Sequence, residues 1–514
     1  MKIDYKAILK HTGFVIILIV VLGSYEKKVD DQKTTVDSSI SIAELRDHMY
    51  YLASDELAGR MPGENGYDAA AVYCATQFRQ AGLSPICRST EGNLTYLQKV
   101  EILKKTRKNE NKLWMNKKTG KKSFHFGDEY FFASFGEKNK INLQGPMAFV
   151  GYGIHEPDHG WDDYKDVDVR GKWAVYIFGV PREDGKFILP EALSDAYADG
   201  LRGYQLKGQT AVDAGAIGVV IICNEERFKM WDVLRHATRT TCTLPGIQAH
   251  FQPPCVQVFL NKEPLNRLFE DRPYNPISAE GEYGSFAMDD LTLDLEAAMA
   301  VETIESSNVV ALVEGTDPKL NHEFITIGAH LDHVGREEGL IFNGADDNAS
   351  GSVAILEAAE AVALNPPKRS TIFILYTGEE LRFMGSQYFV LNPPVPLENI
   401  ICNINLDMVG RPDGDAEELS VMTAGNIKAE LDDIISSIND SHTHLPLDFG
   451  NDKFIMMSDQ VSFFLEGIPV VFFNNGDHDD IHQSTDDAEK VNFVFLKTCS
   501  QLTYYLIMDL ADGV

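Results

Sequence analysis

The sequence predicts an α/β fold, a mostly parallel mixed sheet covered by helices, with a second, β-rich module inserted into it. Three observations predict this. In the last third of the chain, apolar runs of strand length at 324–329, 371–376, 400–406 and 469–473 alternate with helical segments such as 349–364. Strands spaced by helices build parallel sheets that are buried on both faces. Between 144 and 290 the texture changes to short β-like runs among Gly, Pro and Asp turns. A chain of 514 residues also exceeds one core of roughly 150 residues, which implies two or three domains.

The amino terminus carries Lys2, Lys6 and Lys10, an uninterrupted apolar run at 13–23 and a polar stretch at 25–39. The run falls short of the roughly 20 residues that span a bilayer, so 1–24 reads as a secretory signal followed by a linker. Export to a periplasmic or extracellular space follows, with an uncleaved amino-terminal tether as the alternative; no other stable membrane span is expected. No cysteine follows the apolar run, so a bacterial lipid anchor has no attachment point.

The fold proper starts near residue 40. Ser41 and Glu44 have capping-box spacing, and Leu45, Met49 and Leu52 then share one helical face. A second amphipathic helix carrying Ala71, Val72, Ala75 and Phe78 ends at Gly82, a left-handed cap. The Lys-rich segment 104–122 reads as a solvated loop or hairpin. Within the inserted module, strands are expected at 147–150 and 173–178, and a helix at 205–214 leads through Gly215 to a strand at 219–223. The domain map is therefore 40–143 for the first part of the core, 144–290 for the insert and 291–514 for the second part.

A net charge of −31 repels phosphate backbones, and no Lys/Arg cluster interleaved with aromatics counters it. Nucleic acid is excluded as a partner. The seven cysteines include no C-x-x-C pair, which argues against a zinc ribbon or a thioredoxin-like site and leaves buried free thiols as the default; in an exported chain Cys242 with Cys255, or Cys74 with Cys87, are the pairs open to bridging.

Open α/β sheets bind ligands beyond the carboxyl ends of their strands. His330 follows FITIGA, Glu379 and Glu380 follow TIFILYTG, Asp407 follows IICNINL, His482 lies after PVVFF, and Asp346 precedes a helix in GADDNASG. Two imidazoles and three carboxylates (His330, Asp346, Glu380, Asp407 and His482) suit a pair of divalent ions that share a bridging carboxylate. A lone H-x-D or E-E is ordinarily a solvated loop; five such residues at strand ends point jointly to a two-metal hydrolase. Glu379 and Glu380 leave the backbone in different directions, so Glu380 ligates while Glu379 is free to act as general base and acid. Asp332 is placed to accept the second ring N–H of His330, and Asp486 either does the same for His482 or caps a helix. His333 and His478 read as loop histidines and not as ligands. Rival schemes fail on residues: the H-E-x-x-H start at His322 has Thr326 in fifth place, no G-x-S-x-G occurs, and Gly328 stands where a metallo-β-lactamase pattern needs histidine.

These motifs, together with L-A-S-D-E-L-A-G-R at 52–60, D-D-Y-K-D-V-D-V-R-G-K at 162–172, N-L-D-M-V-G-R around Asp407, S-D-Q-V-S-F at Ser458 and I-H-Q-S-T-D around His482, resemble the zinc aminopeptidase family. That family also holds glutamate carboxypeptidase-like members with an inserted protease-associated domain. The resemblance covers the chain from about residue 40 and implies a zinc-exopeptidase core acting on peptide or protein amino termini with two zinc ions per chain. It implies that Asp346 bridges the ions, His330 and Asp407 complete one, and Glu380 and His482 complete the other, with Glu379 as proton shuttle. A cis peptide between Asp346 and Asp347 is implied as well. Two positions depart from the family: Ile481 replaces a tyrosine, and Gln460 replaces a histidine on the substrate side of the crevice. A carboxypeptidase, a single-zinc glutaminyl cyclase and a catalytically silent receptor-like relative are the alternatives on the same fold.

Overall fold

The computed structural model describes residues 39–513 apart from 109, 118–119, 134–138, 199–201, 224, 247–253, 271, 277–279, 282, 413–417, 424–429, 452–453 and 477. The signal-like segment 1–24 and nearly all of the 25–39 linker lie outside the described residues. No helix among the described residues is long and apolar enough to cross a membrane. The chain forms two compact units, one made of Glu101–Ile304 and the other of the chain on either side of it.

The second of these begins with α1 (Ile42–Leu52) and α2 (Asn65–Gln80). Ser41 caps α1: Glu44 N donates to Ser41 Oγ at 3.1 Å, and Ser41 Oγ donates back to the Glu44 carboxylate at 2.8 Å. Gly82, at φ +88°, ends α2 and lets Leu83 N reach Phe78 O. The sheet is built from β1 (Phe286–Val313, of which Val309–Val313 pair here), β2 (Phe324–His330), β3 (Ser370–Tyr376), β4 (Ile400–Leu406), β5 (Leu419–Met422) and β6 (Val470–Asn474). Their order is β1-β3-β2-β4-β6-β5. The four central strands run parallel, while β1 and β5 are antiparallel to their neighbours. The mixed, mostly parallel sheet expected from the sequence is the one observed.

Alternation along the strands splits the sheet into two apolar faces. Ile325, Ile327, Ala329, Phe373, Leu375, Ile404 and Leu406 face α1, α2, α3 (Gly351–Leu364) and the carboxyl-terminal helix Phe493–Asp512. Ile372, Ile374, Tyr376, Val470 and Phe472 face the opposite way, against Phe389 of Met384–Leu391 and Phe463 of Gln460–Leu465. With both faces covered, the loops beyond the strand ends remain for chemistry.

The unit Glu101–Ile304 is itself β-rich. Lys140–Phe149, Trp173–Ile177, Gly218–Ile222 and Gln257–Leu260 lie side by side in parallel, and Tyr130–Ala133 pairs antiparallel to the last. The helix Arg202–Asp213 precedes Gly218–Ile222 across Gly215 at φ +90°, as the sequence predicts. Within the Lys-rich segment, Lys112–Lys117 and Gly120–Phe124 form a hairpin, whereas Lys104–Thr106 lie in the strand Leu97–Arg107 and pair with Thr240–Cys242. The limits 144–290 require correction. Leu291–Glu296 pairs with Lys112–Lys117, and Tyr130–Ala133 pairs with Gln257–Leu260, so strands on both sides of the expected boundaries belong to this unit. None of the seven cysteines forms a disulfide, so neither Cys242 with Cys255 nor Cys74 with Cys87 is bridged.

One polar group sits in the apolar layer between α1 and α3. Glu357 is 1% exposed; its carboxylate accepts from Ser41 N at 3.0 Å and lies 3.5 Å from His48 Nε2. Burial lifts its carboxyl to about 8. A carboxyl raised on folding makes the native state bind the extra proton, so stability from this group is full below the unfolded value and declines as pH climbs to about 8. Glu357→Gln is expected to remove that part of the decline, measured as the difference between variant and parent urea midpoints across this pH window.

Candidate metal centre

The carboxyl ends of the strands deliver the donors one by one. His330 is the last residue of β2 and pairs with Tyr376, the last of β3, from which the chain turns through Gly378 at φ +66° into Glu379 and Glu380. Asp407 follows Leu406, the last residue of β4, and its amide donates to Phe473 O of β6. His482 lies in the loop after β6 with φ +52°.

The fifth element is the turn Ala345–Ser350 leading into α3. There Asp347 (φ −104°, ψ 93°) and Asn348 (φ −132°, ψ 47°) leave helical geometry. This turn decides which of two adjacent acids meets the other donors, and it is Asp347, not Asp346. His330 Nε2 lies 3.3 Å from Asp347 Oδ1 and 3.2 Å from Asp407 Oδ1. His482 Nε2 lies 3.2 Å from Asp347 Oδ2 and 3.0 Å from Glu380 Oε2. Two donor sets result, one of His330, Asp347 and Asp407, the other of His333, Asp347, Glu380 and His482.

Asp346 is turned away from both sets. Its carboxylate accepts from Gly410 N at 2.7 Å and Asn475 Nδ2 at 3.3 Å and lies 3.1 Å from His478 Nε2. The cis peptide likewise falls one residue later than expected, between Asp347 and Asn348. Asp486 does not touch His482: it accepts from the amides of Asp346 and Asp347, each at 3.0 Å, and so fixes the turn from beneath.

Asp332 also differs from expectation. His330 Nδ1–H donates to the backbone carbonyl of Asp332 at 3.0 Å, while the Asp332 carboxylate is 4.0 Å away. That carboxylate instead accepts from the amides of Glu379 (3.1 Å) and Glu380 (3.3 Å). The aspartate therefore positions the acid pair, and its own backbone fixes the His330 tautomer so that Nε2 presents its lone pair to the cluster. Gln460 is fully buried rather than lining the crevice; it bonds Asn405 Nδ2 at 2.9 Å and Ile455 O at 2.9 Å.

His333, read from sequence as a loop histidine, is fully buried in the second donor set, with Nδ1 2.9 Å from Glu380 Oε1. The loop that carries it is clamped by Arg60, the last residue of the upstream L-A-S-D-E-L-A-G-R motif. The buried Arg60 guanidinium donates to the carbonyls of Leu331 (2.8 Å), Asn343 (2.7 Å) and Gly344 (2.9 Å), and also to Leu52 O. No pattern in the sequence marks His333; only the fold shows the ring turned inward.

The electrostatics are those of a site built for positive charge. Burial opposes ionisation of Asp347, but the imidazoles of His333, His330 and His482 outweigh it and hold the carboxyl well below its ordinary value. Hydrogen bonds to Asp347 and Glu380 raise His482 to about 10. Glu379 behaves oppositely. Burial, reinforced by the charges of Glu380, Asp407 and Asp459, lifts its carboxyl well above the usual range despite the nearby His330.

Donor chemistry and spacing both fit zinc. Two ligand atoms each about 2.0–2.1 Å from one ion at the tetrahedral angle lie roughly 3.3 Å apart. The shortest separations within the sets run from 2.9 to 3.3 Å.

Comparison with known proteins agrees with this geometry. The model of peptidase family M28 matches residues 308–507. A probable leucine aminopeptidase 2 of Aspergillus oryzae is 31% identical over 191 residues, 35% of this chain and 35% of that protein. An aminopeptidase of Pseudomonas aeruginosa is 32% identical over 140 residues, 26% of this chain and 25% of that one. The chain thus matches about a third or less of the length of these relatives. The solved structure of an aminopeptidase from Aneurinibacillus sp. strain AM-1 shares the fold with a TM-score of 0.54, covering 93% of this chain and 96% of that one at 20% identity. Residues 308–507, the part of the chain that matches the model of peptidase family M28, contain every member of both donor sets.

Proposed function

We propose that the chain is an exported di-zinc aminopeptidase that removes residues from the amino termini of peptides or proteins. The observation that carries this reading is the meeting of two donor sets on one shared carboxylate, Asp347, with a separate acid beside them. His330 and Asp407 would complete one site, and Glu380 and His482 the other. Zinc in such a site acidifies water and polarises a carbonyl.

The remaining chemistry falls to groups of the chain. Glu379, its carboxyl raised by burial and neighbouring charge, takes a proton from the attacking water as the new C–O bond forms. It then delivers that proton to the departing amine as the C–N bond breaks. Asp332 keeps Glu379 and Glu380 in place through their amides. The names of the relatives in Aspergillus oryzae and Pseudomonas aeruginosa favour cleavage from the amino end over a carboxypeptidase. Two complete donor sets favour two ions over the single ion of a glutaminyl cyclase, and argue against a silent receptor-like chain. Export rests on Lys2, Lys6, Lys10 and the apolar run at 13–23. The β-rich unit Glu101–Ile304 is assigned as the protease-associated insert on the resemblance at 162–172.

Purified protein incubated with free, amino-blocked and carboxyl-blocked peptides, with products identified by mass, is expected to cleave all but the amino-blocked set; cleavage confined to peptides with a free carboxyl end would sink the reading. Glu379→Gln should keep its zinc by elemental analysis and lose at least about 100-fold in kcat. Asp347→Asn should fail to hold the zinc pair, whereas Asp346→Asn, altering a group outside both sets, should retain it.

A further inference from the structure

His333 is the one imidazole in the cluster without a satisfied ring nitrogen. It is fully buried, and neither Nδ1 nor Nε2 has a hydrogen-bond partner among the described residues. Leaving such a group dry and unbonded is unfavourable, so its retention calls for a partner. Nδ1 approaches Glu380 Oε1 to 2.9 Å, but outside hydrogen-bond geometry, and stands 3.8 Å from Asp347 Oδ2. The 2.9 Å spacing to Glu380 is that of two ligand atoms on one cation.

The surrounding backbone is shaped to hold the ring there. Gly344, at φ +57°, lies so close that a Cβ would come within 2.5 Å of His333 Cγ and 2.6 Å of Cδ2. Its carbonyl is held by Arg60 Nη2 at 2.9 Å, and His333 N donates to Arg60 O at 3.4 Å. Ring and loop are thus fixed before any ion arrives.

We propose that His333 is a direct ligand of the ion held by Asp347, Glu380 and His482, giving that ion four protein donors while its neighbour has three. This inference rests on the two-zinc reading and assigns different tasks to the two ions. A set of four protein donors matches the closed coordination of structural zinc, whereas three leave a position open for chemistry. The open position then lies on the His330 side. The four-donor site fills first and resists chelators, and the three-donor site exchanges its ion more readily.

Apo protein would be loaded with zinc, dialysed against a graded series of chelator concentrations and assayed by elemental analysis. The fully loaded form would be examined by X-ray absorption. The parent is expected to lose its ions in two steps and to show three imidazoles shared between the ions. His333→Gln should show two imidazoles, with zinc affinity at the tight site lowered by roughly 100-fold or more, beyond the range typical of an outer-sphere partner. His333→Cys should recover tight retention and, with cobalt substituted for zinc, give a thiolate-to-metal charge-transfer band. If His333→Gln binds two zinc ions with an unchanged imidazole number, or His333→Cys binds cobalt without that band, His333 is not a ligand and the proposal fails while the two-zinc reading stands. A parent that binds no zinc overturns both.

Discussion

The structure of this site is governed by one electrostatic constraint: Asp347, Glu380 and Asp407 bring their carboxylates together where water is largely excluded. Each ion removed from water carries a penalty of several kcal/mol, and like charges at this range add repulsion. Such a cluster persists only if positive charge sits within it. Protonated imidazoles supply it when cations do not, which is why the carboxyl of Asp347 is pulled down while His330 and His482 are pushed up. A cation that displaces those protons finds deprotonated donors at ligand spacing.

The same constraint explains why the rigidity of the site comes from buried polar groups outside it. Four loops carry the donors, and loops do not hold repelling groups together by themselves. Arg60 clamps the loop after β2 by its carbonyls, Asp332 grips the acid pair by its amides, and Asp486 grips the turn before α3 in the same way. Asn348 ties that turn to β4, donating to Leu406 O at 2.9 Å. These anchors preorganise the donors, so that little reorganisation accompanies ion binding.

Much of this was legible in the sequence because period and position carry it. Strand-length apolar runs located β2, β3, β4 and β6 to within about a residue at each end, and the strand-end rule then brought His330, Glu379, Glu380, Asp407 and His482 to one crevice. What failed depends on backbone detail that no pattern encodes. In GADDN two acids are adjacent, and the non-helical dihedrals of Asp347 and Asn348 decide which one turns inward. His333 was missed because its burial depends on Gly344 and Arg60, distant in sequence from it or unremarkable by themselves. The insert was drawn too narrow because strands such as Lys112–Lys117 reveal their partners only through pairing across some 180 residues.

A rule about neighbours emerges from those misplacements. Close to three of the donors, His330, Asp347 and His482, stands a second acid that faces the scaffold instead of the cluster. Asp332 lies two residues from His330 and binds the Glu379 and Glu380 amides; Asp346 adjoins Asp347 and joins the loops after β4 and β6 through Gly410 and Asn475. Asp480, two residues before His482, makes 2.8 Å ion pairs with both Arg411 and Lys490. Neighbouring side chains project in different directions, so a short segment can spend one acid on the cations and the next on the scaffold without lengthening the loop. In GADDN the doubled acids are a ligand and its anchor, and which is which follows from the backbone turn between them. On this argument the excess of acids around the centre reflects scaffolding as much as coordination, and counting carboxylates near a site overstates the number that touch metal.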